Sequence, residues 1–202
     1  MSYTLYMKQV LVIHGGDSFA AYEEYIAFLK EMPVELEGSK GWKGNLNEAL
    51  GPKYQVILPR MPNSFNAKYE EWKIWFEKYL ALLDEDLILV GHSLGGSFLA
   101  KYLATESVPL KIRATFLIAA PHDTDGERAL VEFDSPEDLT QLQAQGGEIF
   151  MYHSTDDPIV AFSEFEKFQA ALPDARFRSF TDRGHFLQEE FPELVTDIKN
   201  LV

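Results

Sequence analysis

The 202-residue chain contains no cysteine. A disulfide framework and a thiolate metal site are therefore excluded, which fits a reducing compartment such as the cytoplasm. Basic residues are scarce: 18 Lys and Arg stand against 32 Asp and Glu, a formal net charge of −14. Such a surface repels nucleic acid and anionic membranes, so neither is expected as a partner. No window approaches eighteen uninterrupted apolar residues, and the N-terminus lacks a charged leader with a cleavage site, so no membrane span or secretion signal is expected. What is abundant is apolar mass: 46% of residues are hydrophobic. At this length they are expected to form the core of one domain spanning residues 1–202.

The chain is organised around Asp86–Glu106, DLILVGHSLGGSFLAKYLATE. Leu87–Gly91 has no period-two alternation and reads as a strand buried on both faces. Phe98, Leu99, Tyr102 and Leu103 then recur at helical spacing. Ser93 thus sits on a tight strand-to-helix turn, with Gly91 and Gly95 two residues to either side where a side chain would collide. G-x-S-x-G alone arises by chance in about one chain in fifteen of this length. The flanking strand and helix are what make Ser93 a candidate nucleophile, with the N–H of Leu94 at the helix start as an oxyanion donor.

Five further strands are predicted: Lys8–Ile13, Tyr54–Leu58, Arg113–Ala120, Glu148–Tyr152 and Arg176–Phe180. The first ends in His14-Gly15-Gly16-Asp17-Ser18, and Gly16 is the candidate second oxyanion donor. A helix follows with apolar residues at Phe19, Tyr22, Tyr25, Ile26 and Leu29. Asn45–Leu50 reads as a short helix ended by Gly51-Pro52. Trp42 suits either a core or loop-anchoring role or a pocket entrance. The 67–83 segment carries a wide apolar stripe, with Trp72 and Trp75 expected in the core. Gly126–Phe133 is either a small cap or a surface loop. Ser135-Pro136-Glu137 predicts a helix start, and Gly146-Gly147 its stop. Strands alternating with helices predict an α/β fold: a six-stranded, mostly parallel sheet with helices on both faces, a three-layer sandwich. In such a sheet the loops at strand C-terminal ends share one rim.

A serine hydroxyl needs a base within reach, and the base needs an orienting acceptor. His185, after the last strand, is the only histidine beyond the Asp156-Asp157 loop, and Gly184 lets that loop turn back. Asp157 is preferred as the carboxylate because Pro158 removes a competing N–H, leaving Asp156 to face solvent or cap the next helix. Phe19, Met61, Leu94, His122 and Phe186 are candidates for lining a small substrate pocket. No metal or other cofactor is implied, and oligomeric state is not legible.

GHSLGG at 91–96, STDDPIV at 154–160, FTDRGHF at 180–186 and the PRMPNS…YEEWKIWFE segment at 59–77 together resemble the small serine hydrolases of the YdeN type. These include the retinoblastoma-binding-protein-nine-like enzymes, in the α/β-hydrolase superfamily. The resemblance implies an α/β-hydrolase fold lacking the first two antiparallel strands, Ser93, Asp157 and His185 as the triad, and hydrolysis of small esters or related acyl compounds. The Phe19–Leu50 region is longer than the family pattern. A chain without cysteine also cannot carry an LxCxE-type motif, so that binding role is not implied. Two other functions remain compatible with the same residues: a non-catalytic interaction module on a hydrolase scaffold, and acyl transfer to an alcohol or amine.

Overall fold

The computed structural model describes residues 7–34, 41–123 and 132–201. Its centre is one six-stranded sheet in the order β2-β1-β3-β4-β5-β6. The strands are β1 (Lys8–Ile13), β2 (Tyr54–Ile57), β3 (Leu87–His92), β4 (Ile112–Ile118), β5 (Glu148–Ser154) and β6 (Arg176–Phe180). Every neighbouring pair is parallel. All six strand C-terminal ends therefore lie along one edge.

Parallel strands need crossover connections, and helices supply them. These are α1 (Tyr22–Glu31), α2 (Gly41–Leu50), α3 (Tyr69–Leu80), α4 (Leu94–Thr105), α5 (Thr140–Gln145), α6 (Phe162–Ala171) and α7 (Pro192–Lys199). The central strands are apolar on both faces, and their period of two splits them between two cores. Leu11, Ile13, Leu89 and Leu117 pack with α3, α4, α5 and α6. Val10, Val12, Val90 and Phe116 pack with α2 and α7 on the other side. This is the three-layer α/β sandwich that the alternating pattern predicts.

Several boundaries differ from expectation. Trp72 is fully buried, but Trp75 is 38% exposed and packs edge-on against Tyr79, because one helix face holds only the 69, 72, 76 and 80 positions. The helix expected at Ser135 starts at Thr140, whose N–H is accepted by Asp138. The Ser135 backbone N–H is instead drawn to the His122 carbonyl. The expected stop holds: Gly146 is the C-cap and Gly147 has φ +67°. The predicted short helix begins four residues earlier, at Gly41. The helix after β1 begins only at Tyr22 and buries no residue fully. Most of Gly126–Phe133 lies outside the described residues, but Phe133 is buried in the α3/α4 core.

Candidate active site

Ser93 stands between the end of β3 and the start of α4 with φ +54° and ψ −128°, a backbone region costly for any residue with a side chain. The turn is held tight from both directions. A Cβ on Gly91 would lie 2.5 Å from the Gly95 carbonyl oxygen and 2.7 Å from the Gly96 Cα. Only glycine permits that approach. The Leu94 N–H is the first of α4, where no intrahelical acceptor can reach it.

The loop after β1 runs beside this turn: a Cβ added to Gly15 would sit 3.5 Å from Ser93 Oγ. The loop after β2 clamps it in place. Met61 N–H donates to His14 Nε2 at 2.9 Å. Asp17 N–H donates to Ser64 O at 2.8 Å, and Ala67 N–H to Asp17 O at 2.7 Å. Ser18 Oγ donates to Ala67 O at 3.0 Å. Gly16 is pressed so close to Ser64 that a Cβ there would meet its carbonyl oxygen at 2.5 Å. PRMPNS, whose prolines suggest only the end of a strand, is therefore the support of the glycine loop. A cavity of about 630 Å³ lies on this side, lined by His14, Tyr25, Arg60, Met61, Ser64 and Lys68 among others.

At the other end of the rim, His185 Nδ1 lies 2.8 Å from Asp157 Oδ2, and the Asp157 side chain is wholly buried. A carboxylate only accepts, so Nδ1 carries the proton and Nε2 keeps its lone pair. Burial alone would raise the Asp157 pKa. The bonds from His185 and from the N–H groups of Val160 and Ile159 outweigh it and hold the carboxyl below the usual range. Asp156 is exposed, as expected, and does not cap α6. Its Oδ1 accepts Ser154 Oγ at 2.5 Å and Gly184 N–H at 2.9 Å, stitching the β5 loop to the His185 loop.

Three more histidines stand around this pair, and the hydrogen bonds of two of them, His92 and His14, make those two rings neutral. His92 Nε2 lies 2.8 Å from the His185 carbonyl oxygen and so carries a proton, while its Nδ1 accepts from Lys43 Nζ at 3.3 Å. Burial first, then the Lys43 charge, holds its pKa well below the ordinary histidine value. His153 donates Nε2–H to the Val160 carbonyl at 3.0 Å, and burial lowers its pKa. His14 accepts at Nε2, so Nδ1 donates to Gly15 O at 2.6 Å; burial lowers it too. Trp42 completes the frame, its Nε1–H donating to Phe186 O at 2.8 Å. It is an anchor of the His185 loop.

The expected pocket residues divide. Met61 lines the cavity, and the ring of Phe19 packs on Tyr25, another of its walls, at 5.9 Å. Leu94 reaches towards Gly16, its Cδ2 3.4 Å from where a Cβ would stand. Phe186 is not a wall: it is fully buried against Phe180 and Phe191, because its φ of +54° turns the side chain into the α7-side core. His122 is buried beyond β4, edge-on to Phe168, with Nδ1 on Asp123.

A family profile described as serine hydrolase matches residues 36–194. The chain belongs to the serine hydrolase family. Serine hydrolase RBBP9 of Rattus norvegicus is 32% identical over 164 residues, covering 80% of this chain and 87% of that protein. YdeN of Bacillus subtilis (strain 168) is 25% identical over 190 residues, 91% of this chain and 88% of its own. The crystal structure of the B. subtilis ydeN gene product superposes with a TM-score of 0.72 at 23% identity, over 96% of this chain and 98% of that one. The CarC serine hydrolase involved in carbazole degradation shares the fold at a TM-score of 0.65 and 14% identity, over 96% and 90% of the two chains. The YdeN-type resemblance carried by the sequence motifs is thus the family to which this hydrolase belongs.

Sequence reasoning passed over Lys43 and His92, and with them the bracing roles of Asp156 and of the Met61–Ala67 clamp. One signal was available: His92 stands between the elbow glycine and the serine, and its side chain can only point into the rim. The others depend on which loops meet in space. Among the described residues no group of three acidic or imidazole side chains is arranged to hold a metal ion.

Proposed function

We propose that this hydrolase is a serine esterase acting on small acyl esters through an acyl-enzyme, with Ser93 as nucleophile, His185 as base and Asp157 as its orienting carboxylate. The observation that carries the reading is the buried His185–Asp157 pair at 2.8 Å, standing on the same sheet edge as a serine held at φ +54°. In this scheme Ser93 Oγ attacks the ester carbonyl carbon while its proton passes to His185 Nε2. The imidazolium that results is stabilised by Asp157, which stays ionised. Collapse of the tetrahedral species returns the proton to the departing alcohol, and a water repeats the sequence to release the acid and restore the hydroxyl. The N–H groups of Leu94 and Gly16 are assigned to the oxyanion, each worth about 3 kcal/mol of barrier. Met61 and Phe19 are assigned to substrate contact, and the cavity beside His14 to the acyl or alcohol group.

Turnover of 4-nitrophenyl acetate tests this directly. Ser93→Ala should lower it on the order of a thousandfold or more while the circular dichroism spectrum is unchanged. Labelling by a fluorophosphonate probe should disappear with it. Undiminished turnover in that variant removes the mechanism, and a wild-type protein that never labels is an interaction module instead.

A further inference from the structure

Lys43 sits in the first turn of α2 and is half-buried in the rim described above. Both its neighbours are uncharged. Nζ lies 3.3 Å from the lone pair of the neutral His92 Nδ1 and 4.8 Å from the centroid of the Trp42 ring. Among the described residues no carboxylate pairs with it, although acidic residues outnumber basic ones by 32 to 18 in this chain. A partly desolvated cation is unfavourable unless an anion meets it. Here burial has pushed the ammonium pKa down to about 8. Its place is also specific. His92 is the residue before Ser93, its other nitrogen holds the His185 carbonyl, and its ring centroid is 4.9 Å from that of His185. After burial, the Lys43 charge also lowers the pKa of His14.

We propose that Lys43 is a specificity-determining residue that selects esters carrying a carboxylate a few bonds from the scissile carbonyl, the substrate supplying the counter-ion that the protein withholds. This rests on the esterase reading. A residue whose only task was to hold His92 would be served by a neutral donor, with no charge brought out of water.

The test uses two matched pairs of esters. The carboxylate is on the acyl side in 4-nitrophenyl hydrogen succinate, set against 4-nitrophenyl pentanoate. It is on the alcohol side in 4-acetoxybenzoate, set against its methyl ester. The quantity read is the ratio of kcat/KM for the charged ester to that for its neutral partner, which divides out any general disturbance of the site. In at least one pair this ratio should fall tenfold or more in Lys43→Met and be largely retained in Lys43→Arg. The free-enzyme group governs kcat/KM. The wild-type ratio should therefore decline as pH rises through about 8, where Lys43 loses its proton, whereas that of Lys43→Arg stays flat. Lys43→Met ratios equal to wild type in both pairs, or equal losses on charged and neutral esters, overturn the proposal. Binding of N-phenylsuccinamate, an amide without the ester bond, to Ser93→Ala and Ser93→Ala/Lys43→Met proteins separates the two readings. If no variant cleaves any ester, the esterase reading fails. A tenfold weaker binding without Lys43 then still sustains the carboxylate site, and equal affinities end it.

Discussion

Two carboxylates stand side by side after β5, and the donors around each divide their work. Asp157 takes the imidazole of His185 and two backbone N–H groups; Asp156 takes Ser154 and the N–H of Gly184. Asp157→Asn should keep the packing but offer an amide in place of a charge, lowering kcat on the order of 10⁴-fold. Asp156→Ala removes an acceptor that shapes the loop, so its loss of kcat should be the smaller of the two. Stopped-flow turnover of an activated ester with both variants checks the order, and a larger effect at Asp156 would reverse the assignment. Pro158 pointed to Asp157 in the sequence, because a residue preceding proline loses one competing donor. What Asp156 does was not legible there, since Gly184 lies 28 residues away and is brought close only by β5–β6 pairing.

Among the elements, α2 and the loop after β6 behave as one support. Trp42 N–H donates to Gln188 O at 2.8 Å, and its indole donates to Phe186 O. Arg183 pairs with Glu193 of α7, and Gln188 donates to Arg183 O at 2.6 Å. The imidazole of His185 is thus carried on a loop fixed from three sides. Trp42→Phe keeps most of the ring but strands a buried carbonyl, a cost of about 1–3 kcal/mol. Urea unfolding should report that loss, and kcat should fall together with it because the lost bond is one residue from His185. The sequence reads as helix only from Asn45, but α2 starts at Gly41, and Trp42 in its first turn finds its indole partner 144 residues on. The same holds for PRMPNS, which looked like a strand stop and proved to be the brace of the glycine loop. The two sheet edges are blunted against further pairing: β2 has four residues, and β6 bears Arg176 and Arg178.

On the scale of the whole molecule, all five histidines lie at strand C-terminal ends: His14 after β1, His92 closing β3, His122 after β4, His153 near the end of β5 and His185 after β6. Burial lowers the pKa of His14, His92 and His153 in the folded state. The unfolded chain then binds more protons than the folded one below the ordinary value near 6.5, so stability declines as pH falls through that point. Each buried imidazole contributes up to about 1.4 kcal/mol per pH unit in that range. Urea midpoints at pH 7.5, 6.0 and 5.0 in 0.15 M salt should fall steadily, and His92→Asn should flatten the slope by about one proton. The carboxylate effect comes later: Asp157, held below its usual range, gives stability that is present above about pH 4 and lost as pH falls further. A midpoint independent of pH between 7.5 and 5 would mean that these rings take up protons alike in the folded and unfolded states.

By itself the sequence determined the layers, the strand boundaries to within two residues and the side of the sheet on which Ser93, Asp157 and His185 emerge, because hydrophobic period and glycine placement are local properties. It also determined the family, through short motifs that local turn geometry constrains. The tertiary structure alone decided how those motifs are held and what surrounds them: Lys43 on His92, Asp156 on Gly184, Ser64 under Gly16, Phe186 in the core and not the pocket. The polar contacts among these join residues 28 to 49 apart in the chain, and no periodicity announces which acceptor a given donor will meet.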